Sequence, residues 1–215
     1  MIVIYGGTFD PVHLGHIRLA EFVITRLKPD AFHFMPCFQP VHKDNAEISA
    51  DHRLQMLRLA ISELPEKIQQ HIRIDDREIK SGQARFSLDS LVEIRDEIGN
   101  DEPLGFVMGT DSLLNLQTWY RWDELPEYCH LFVVSRPGFE WSQLSIKVKE
   151  TLQWVAHEHT GFDLLKPAGN AYFLSGLELN ISSTGIRSDV LANKNSISPV
   201  VFDYILRNHL YNNQP

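Results

Sequence analysis

Short runs of apolar, β-branched and aromatic residues recur along the whole chain, and stretches with helical period separate them. The runs fall at Ile2 to Tyr5, Ala31 to Met35, Ile72 to Ile74, Leu104 to Met108, Leu131 to Val134 and Tyr172 to Leu174. Their continuous apolar character reads as strands covered on both faces. Between them, Ile17, Ala20, Ile24 and Leu27, and again Leu54, Leu57, Ala60 and Ile61, recur at spacings of three and four with charged residues on the opposite face. Alternation of this kind predicts right-handed βαβ units around a parallel sheet, an α/β fold whose ligands bind beyond the carboxyl ends of the strands. Ser142 to His159 reads as an amphipathic helix inserted between two strands, and Ser198 followed by Pro199 as the start of a last helix that turns Val201, Tyr204 and Ile205 to one side. No internal boundary stands out, so residues 1–211 read as one domain and 212–215 as a polar tail.

Composition narrows the classes of partner. A chain of 215 residues with 43% hydrophobic side chains can bury one sizeable core. A net charge of −8 argues against gripping a nucleic-acid backbone, which needs many Lys and Arg, but leaves room for a small anion held by a local cluster of donors. Two cysteines, Cys37 and Cys129, without metal or redox spacing suggest neither disulfides nor a cysteine-rich zinc site. The first strand begins at Ile2, leaving no room for a leader, and no apolar run reaches membrane-spanning length, so a cytoplasmic protein without membrane contact is expected. A homo-oligomer stays open.

The first strand runs into Gly6-Gly7-Thr8-Phe9-Asp10-Pro11-Val12-His13-Leu14-Gly15-His16 and then directly into the first helix. Paired glycines admit positive φ and close approach of a ligand, and a helix start presents unpaired N–H groups to an anion. The spacing fits neither the dinucleotide-binding fingerprint nor the P-loop. It leaves His13-x-x-His16, two imidazoles that a nascent helix sets on one side, where both can donate to phosphate oxygens as charge builds. A metal held by His13, His16 and His42 is a lesser alternative, since no carboxylate or cysteine completes the set.

Other stations lie where such a fold needs them. After the second strand, Pro36-Cys37-Phe38-Gln39-Pro40-Val41-His42-Lys43 offers an imidazole and an ammonium beside a proline-stiffened turn. Gly109-Thr110-Asp111 ends a strand, and Asp111 there can accept from a ribose hydroxyl or simply cap a turn. Trp119-Tyr120 sets two large aromatics in succession, and both do not fit easily into one core. Late in the chain comes Asn180-Ile181-Ser182-Ser183-Thr184-Gly185-Ile186-Arg187. Ser183 reads as an N-cap, Gly185 weakens the helix it starts, and Arg187 sets a cation near the positive end of that helix. Choices that work against local stability point to an anionic ligand.

The first loop resembles the (H/T)xGH signature of the nucleotidylyltransferase superfamily, and its GGTFDPVHLGH form is similar to that of the bacterial nicotinate-nucleotide adenylyltransferases. The Pro36–Lys43 segment resembles that family's P-x-x-x-P-P-H-K, with Val41 in place of a proline, and Ile181–Arg187 resembles its ISSTxIR run. Arg136-Pro137-Gly138 looks like its R-P-G turn. Arg85-Phe86-Ser87 departs from its usual Ser-Tyr-Thr, which bears on the acceptor side.

The resemblance implies a Rossmann-like, doubly wound domain that transfers AMP from ATP to nicotinate mononucleotide, with Mg²⁺ accompanying ATP. It implies phosphate-handling catalytic roles for His13, His16, Lys43 and Arg187. It implies ATP contacts from Gly6, Gly7, Thr8, Phe9, Gly15, His42, Gly109, Asp111, Ile181, Ser182, Ser183 and Thr184. Acceptor contacts would come from Asp10, Phe86, Ser87, Trp119, Tyr120 and Arg136. The residues themselves also admit transfer to nicotinamide mononucleotide or phosphopantetheine, cytidylyl transfer, and nucleotide sensing without turnover.

Overall fold

The computed structural model describes residues 1–41, 46–155, 166–177 and 181–212. The chain order is β1 (Ile2–Gly7), α1 (Leu14–Leu27), β2 (Ala31–Pro36), α2 (Ala50–Ser62), α3 (Glu66–Gln69), β3 (Ile72–Ile74), α4 (Arg77–Ser81), α5 (Ser87–Ile98), β4 (Leu104–Gly109), α6 (Thr110–Leu114), α7 (Leu125–Tyr128), β5 (His130–Val134), α8 (Ile146–Thr151), β6 (Gln153–Trp154), β7 (Asn170–Leu174), α9 (Ser183–Ser188) and α10 (Pro199–Arg207). All six expected strands are present. They pair in parallel within one seven-stranded sheet of order β3-β2-β1-β4-β5-β7-β6.

Side-chain alternation along these strands explains why they read as unbroken apolar runs. Val3 and Tyr5 of β1, Phe132 and Val134 of β5 face one layer, where α1, α2 and α10 bring Val23, Met56, Leu57, Val201 and Ile205. Ile4, Leu131 and Val133 face the other, where α5, α6, α7 and α8 bring Leu91, Leu113, Leu125 and Val148. Both faces of a parallel sheet are thereby dry, and each fully buried Leu, Ile or Phe contributes about 1.5–3 kcal/mol. β2 lies on one side of β1 and β4 on the other, so the winding reverses there. That reversal opens a crevice beyond Gly7 and Gly109, at the carboxyl ends of β1 and β4.

The helix expected over 142–159 is much shorter. Ser145 caps α8 by accepting from the Val148 N–H at 3.2 Å, and Leu152 leaves the helix with extended backbone and a buried side chain. The chain then adds β6 to the sheet edge, with Trp154 edge-on to Trp141 at 4.8 Å. Residues 156–159 of that span lie outside the described residues. The last helix starts as expected, with extended Ser198 before Pro199 and Val201 and Ile205 buried. Among the described residues no helix is long and apolar enough to cross a membrane.

Candidate active site

The crevice is built around the first loop. His13 is the N-cap of α1, with φ −143°, and His16 stands one turn on. Their rings stack with centroids 3.7 Å apart and 22° between planes, so the expected common side is realised. The His13 N–H donates to Nδ1 of His16 at 3.2 Å, which orients the second imidazole. His13 is 4% exposed, and its Nδ1 has no hydrogen-bond partner among the described residues. Burial, helped by the nearby Arg136 guanidinium, lowers its pKa to about 3. The ring is therefore neutral at pH 7.

The left-handed backbone expected of the paired glycines falls elsewhere. Gly6 and Gly7 belong to β1, whereas Phe9, buried to 2% exposure, takes φ 51°. A bulky residue adopts that conformation only where its surroundings dictate it. Here its ring meets Tyr5 at 5.6 Å and His16 at 5.0 Å, both edge-on, and fills the space above Gly7, where an added Cβ would stand 2.9 Å from the Phe9 ring. The glycine is needed for close approach of protein to protein.

Arg53, which no motif singled out, holds this loop to the next. It is fully buried on α2 and donates to the carbonyls of Thr8 (2.5 Å), Cys37 (2.7 Å) and Phe38 (2.6 Å). The first- and second-strand loops are thus clamped by one guanidinium. Its only sequence signal is a charge inside an otherwise apolar helical face. His42 and Lys43, expected in the second loop, lie outside the described residues.

The late motif closes the other side, with two corrections. Ser182, not Ser183, caps α9, its Oγ accepting from the Gly185 N–H at 3.1 Å. Ser183 instead donates to the carbonyl of Pro11 at 3.0 Å. Arg187 stands in the last turn of this six-residue helix, the end that favours a cation, so the expected conflict with the helix dipole is absent. Its guanidinium donates to the carbonyl of Asp10 at 2.7 Å and pairs with Glu47 at 3.4 Å. The Asp10 carboxylate accepts from the Glu47 N–H (2.8 Å) and the Tyr211 hydroxyl (2.7 Å), so this buried residue serves to fasten the loop.

A cavity of about 530 Å³ results, lined by Gly6, Gly7, Thr8, Phe9, His13, His16, Asp111, Arg136, Ser182, Ser183, Thr184 and Arg187. Gly15 and Ile181 border a narrow cleft beside it. A second lobe of about 630 Å³ shares Gly6, Gly7, Thr8, Phe106, Asp111 and Trp119 and adds Met35, Cys37, Glu78, Arg85, Ser87 and Asn115. Asp111 and Arg136 form an ion pair at 3.3 Å where β4 and β5 end, beside Gly109. Arg136, expected with the acceptor, lines the His13 lobe and not the Arg85 lobe. Trp119 lines both lobes, whereas Tyr120 stacks on Phe86 at 4.5 Å and neither ring belongs to either wall. Among the described residues no group of three or more His, Cys, Asp or Glu is placed to hold a metal.

Two lobes meet at a glycine-rich strand end of this α/β fold, and one of them is lined with imidazole, hydroxyl and guanidinium groups, a set of donors that suits a phosphate-bearing ligand. Residues 4–189 match the family described as cytidylyltransferase-like, and the chain belongs to that family. It is 38% identical, over 98% of its length and 94% of the relative's, to a probable nicotinate-nucleotide adenylyltransferase of Marinomonas sp. (strain MWYL1). A protein of the same description from Cellvibrio japonicus (strain Ueda107) is 37% identical over 97% of both chains. The fold matches the Plasmodium falciparum nicotinic acid mononucleotide adenylyltransferase complexed with NaAD, with a TM-score of 0.77 and 21% identity over 99% of this chain and 98% of that one.

Proposed function

We propose that this protein transfers the AMP group of ATP to nicotinate mononucleotide, giving nicotinate adenine dinucleotide and pyrophosphate. The observation that carries this is the meeting of His13, His16 and the Ser182–Arg187 segment on one cavity, in a chain so similar over its whole length to proteins of that description. An oxygen of the acceptor phosphate attacks the α-phosphorus in line, and the bond from that phosphorus to the oxygen bridging to the β-phosphate breaks. Pyrophosphate leaves with the electron pair, so no covalent enzyme intermediate is required. Alignment and charge neutralisation supply catalysis.

His16 donates to the α-phosphate as it becomes crowded, and neutral His13 adds a second N–H donor from the stack. Arg187 and Lys43 take the departing pyrophosphate. Mg²⁺ enters as part of the nucleotide substrate, held by phosphate oxygens and water. Asp111 and Trp119, at the junction of the lobes, separate the adenylyl side from the acceptor ring. Incubation with ATP and Mg²⁺ plus nicotinate mononucleotide, nicotinamide mononucleotide or phosphopantetheine, followed by pyrophosphate release, tests the reading. Nicotinate mononucleotide is expected to be the fastest acceptor. Equal rates with all three, or release from CTP in place of ATP, overturn it.

A further inference from the structure

The second lobe combines features that bear on which acceptor it takes. Trp119, Phe106 and Met35 give it apolar walls that suit a flat ring. Its charged side chains among the described residues are Glu78, Arg85 and Asp111, so Arg85 is the one cation there. The Arg85 Nη2 donates to Glu93 at 2.5 Å, and this is its sole ion pair among the described residues. Glu93 is in turn shared with Arg77, at 3.2 Å. The remaining Arg85 donors have no acceptor among the described residues and are available to a ligand. Glu78 is 4% exposed, receives a hydrogen bond from Ser90 at 2.7 Å, and feels Arg85 as its main opposing charge.

We propose that Arg85 is a specificity residue that selects an acceptor whose ring carries a carboxylate over one whose ring carries a carboxamide. The assignment rests on the reading that the second lobe receives the acceptor. A guanidinium offers a planar fork of donors that matches a carboxylate and gains little from a neutral amide. Its removal does more than delete an attraction. Glu78, which lines that end of the lobe, then loses its main opposing charge, and it repels an anionic ring while leaving a neutral one indifferent.

The test compares kcat/KM for nicotinate and nicotinamide mononucleotides at saturating ATP in the unmodified protein, R85Q, R85K and E93Q. R85Q is expected to lower kcat/KM for the acid at least about 10-fold and to leave the amide within about 3-fold, with KM for ATP unchanged. R85K is expected between the two. E93Q breaks the same ion pair while keeping the cation, and is expected to hold or raise the acid preference, which a purely structural Arg85 would not allow. An unchanged acid-to-amide ratio in R85Q, or an equal loss in R85Q and E93Q, overturns the assignment alone. Absence of turnover by the unmodified protein overturns the functional reading and this assignment with it.

Discussion

The Nη1 of Arg53 donates to the carbonyl of Thr8 across 45 residues of chain, while its Nη2 holds the carbonyls of Cys37 and Phe38. A fully buried cation is tolerated only because carbonyl dipoles surround it, and the same carbonyls lose their donors when it is removed. Arg53→Met is therefore expected to lower stability by about 3–5 kcal/mol, read as a drop in the denaturation midpoint at constant slope. Arg53→Lys keeps the charge but cannot reach three acceptors at once, and is expected to retain the fold with kcat reduced at least about 10-fold as the two loops lose register. Wild-type turnover in the lysine variant would show that the clamp serves stability alone.

His13 links the site to pH. Its pKa falls from 6.5 to about 3 on folding, so between those values the unfolded chain binds the proton and the folded chain does not. Its contribution to stability is complete above pH 6.5 and declines as pH falls toward 3, with a slope approaching about 1.4 kcal/mol per pH unit for this group. His33, whose pKa burial also lowers, acts in the same sense. His13→Gln is expected to flatten the profile of ligand-free stability between pH 6.5 and 5, where most carboxylates are still ionised. Denaturant midpoints for both proteins at half-unit intervals check this, and parallel profiles would exclude desolvation of His13.

Much of this arrangement was legible in the chain because it is written in local patterns. The strands announce themselves since both faces are covered, and His13 and His16 share a side because a helix start leaves little choice. What was not legible depends on contacts distant in sequence. Arg53 reads as an ordinary helical charge until the carbonyls of Thr8, Cys37 and Phe38 are brought around it. The positive φ went to Phe9 and not to a glycine, because packing against Tyr5 and His16 outweighs local preference. β6 is two residues long, too short for any periodicity, and α9 begins one residue earlier than its hydroxyls suggested since Ser183 is drawn to Pro11. The neighbours of Arg136 are likewise set by folding, its backbone N–H donating to Thr110 and its guanidinium pairing with Asp111.

Arg187 joins the late helix to the first loop, and that sets the sign of its stability effect. With the Asp10 carbonyl and Glu47 as partners, Arg187→Ala in the absence of ligand is expected to lose about 1.5–3 kcal/mol. For a chain of this size that corresponds to a fall in Tm of roughly 3–12 °C. In turnover, KM for ATP is expected to rise by at least about 10-fold. Calorimetry of the ligand-free variant decides the first part, and an unchanged or raised Tm would mean that these contacts contribute nothing without nucleotide.

Gly15 separates stability from function most sharply. It sits in the first turn of α1, is buried, and adopts no left-handed backbone, so intrinsic propensity favours alanine there by about 1 kcal/mol. An added Cβ would, however, stand 2.8 Å from both Cε1 and Nδ1 of the His13 ring and 3.5 Å from Cβ of Ile181. The ring cannot retreat far, because His16 is stacked on it at 3.7 Å and the residue is 4% exposed. The methyl therefore displaces the imidazole from its stack while the helix itself gains. Gly15→Ala is expected to fold with a Tm within a few degrees of the parent and to lose at least about 10²-fold in kcat, since a misplacement of this order at a phosphate donor is that damaging. Gly15→Ser should behave in the same way, as its Cβ occupies the same position. Retained turnover together with a raised Tm would show that the His13 ring can move without consequence, and would remove the His13–His16 stack from the catalytic account.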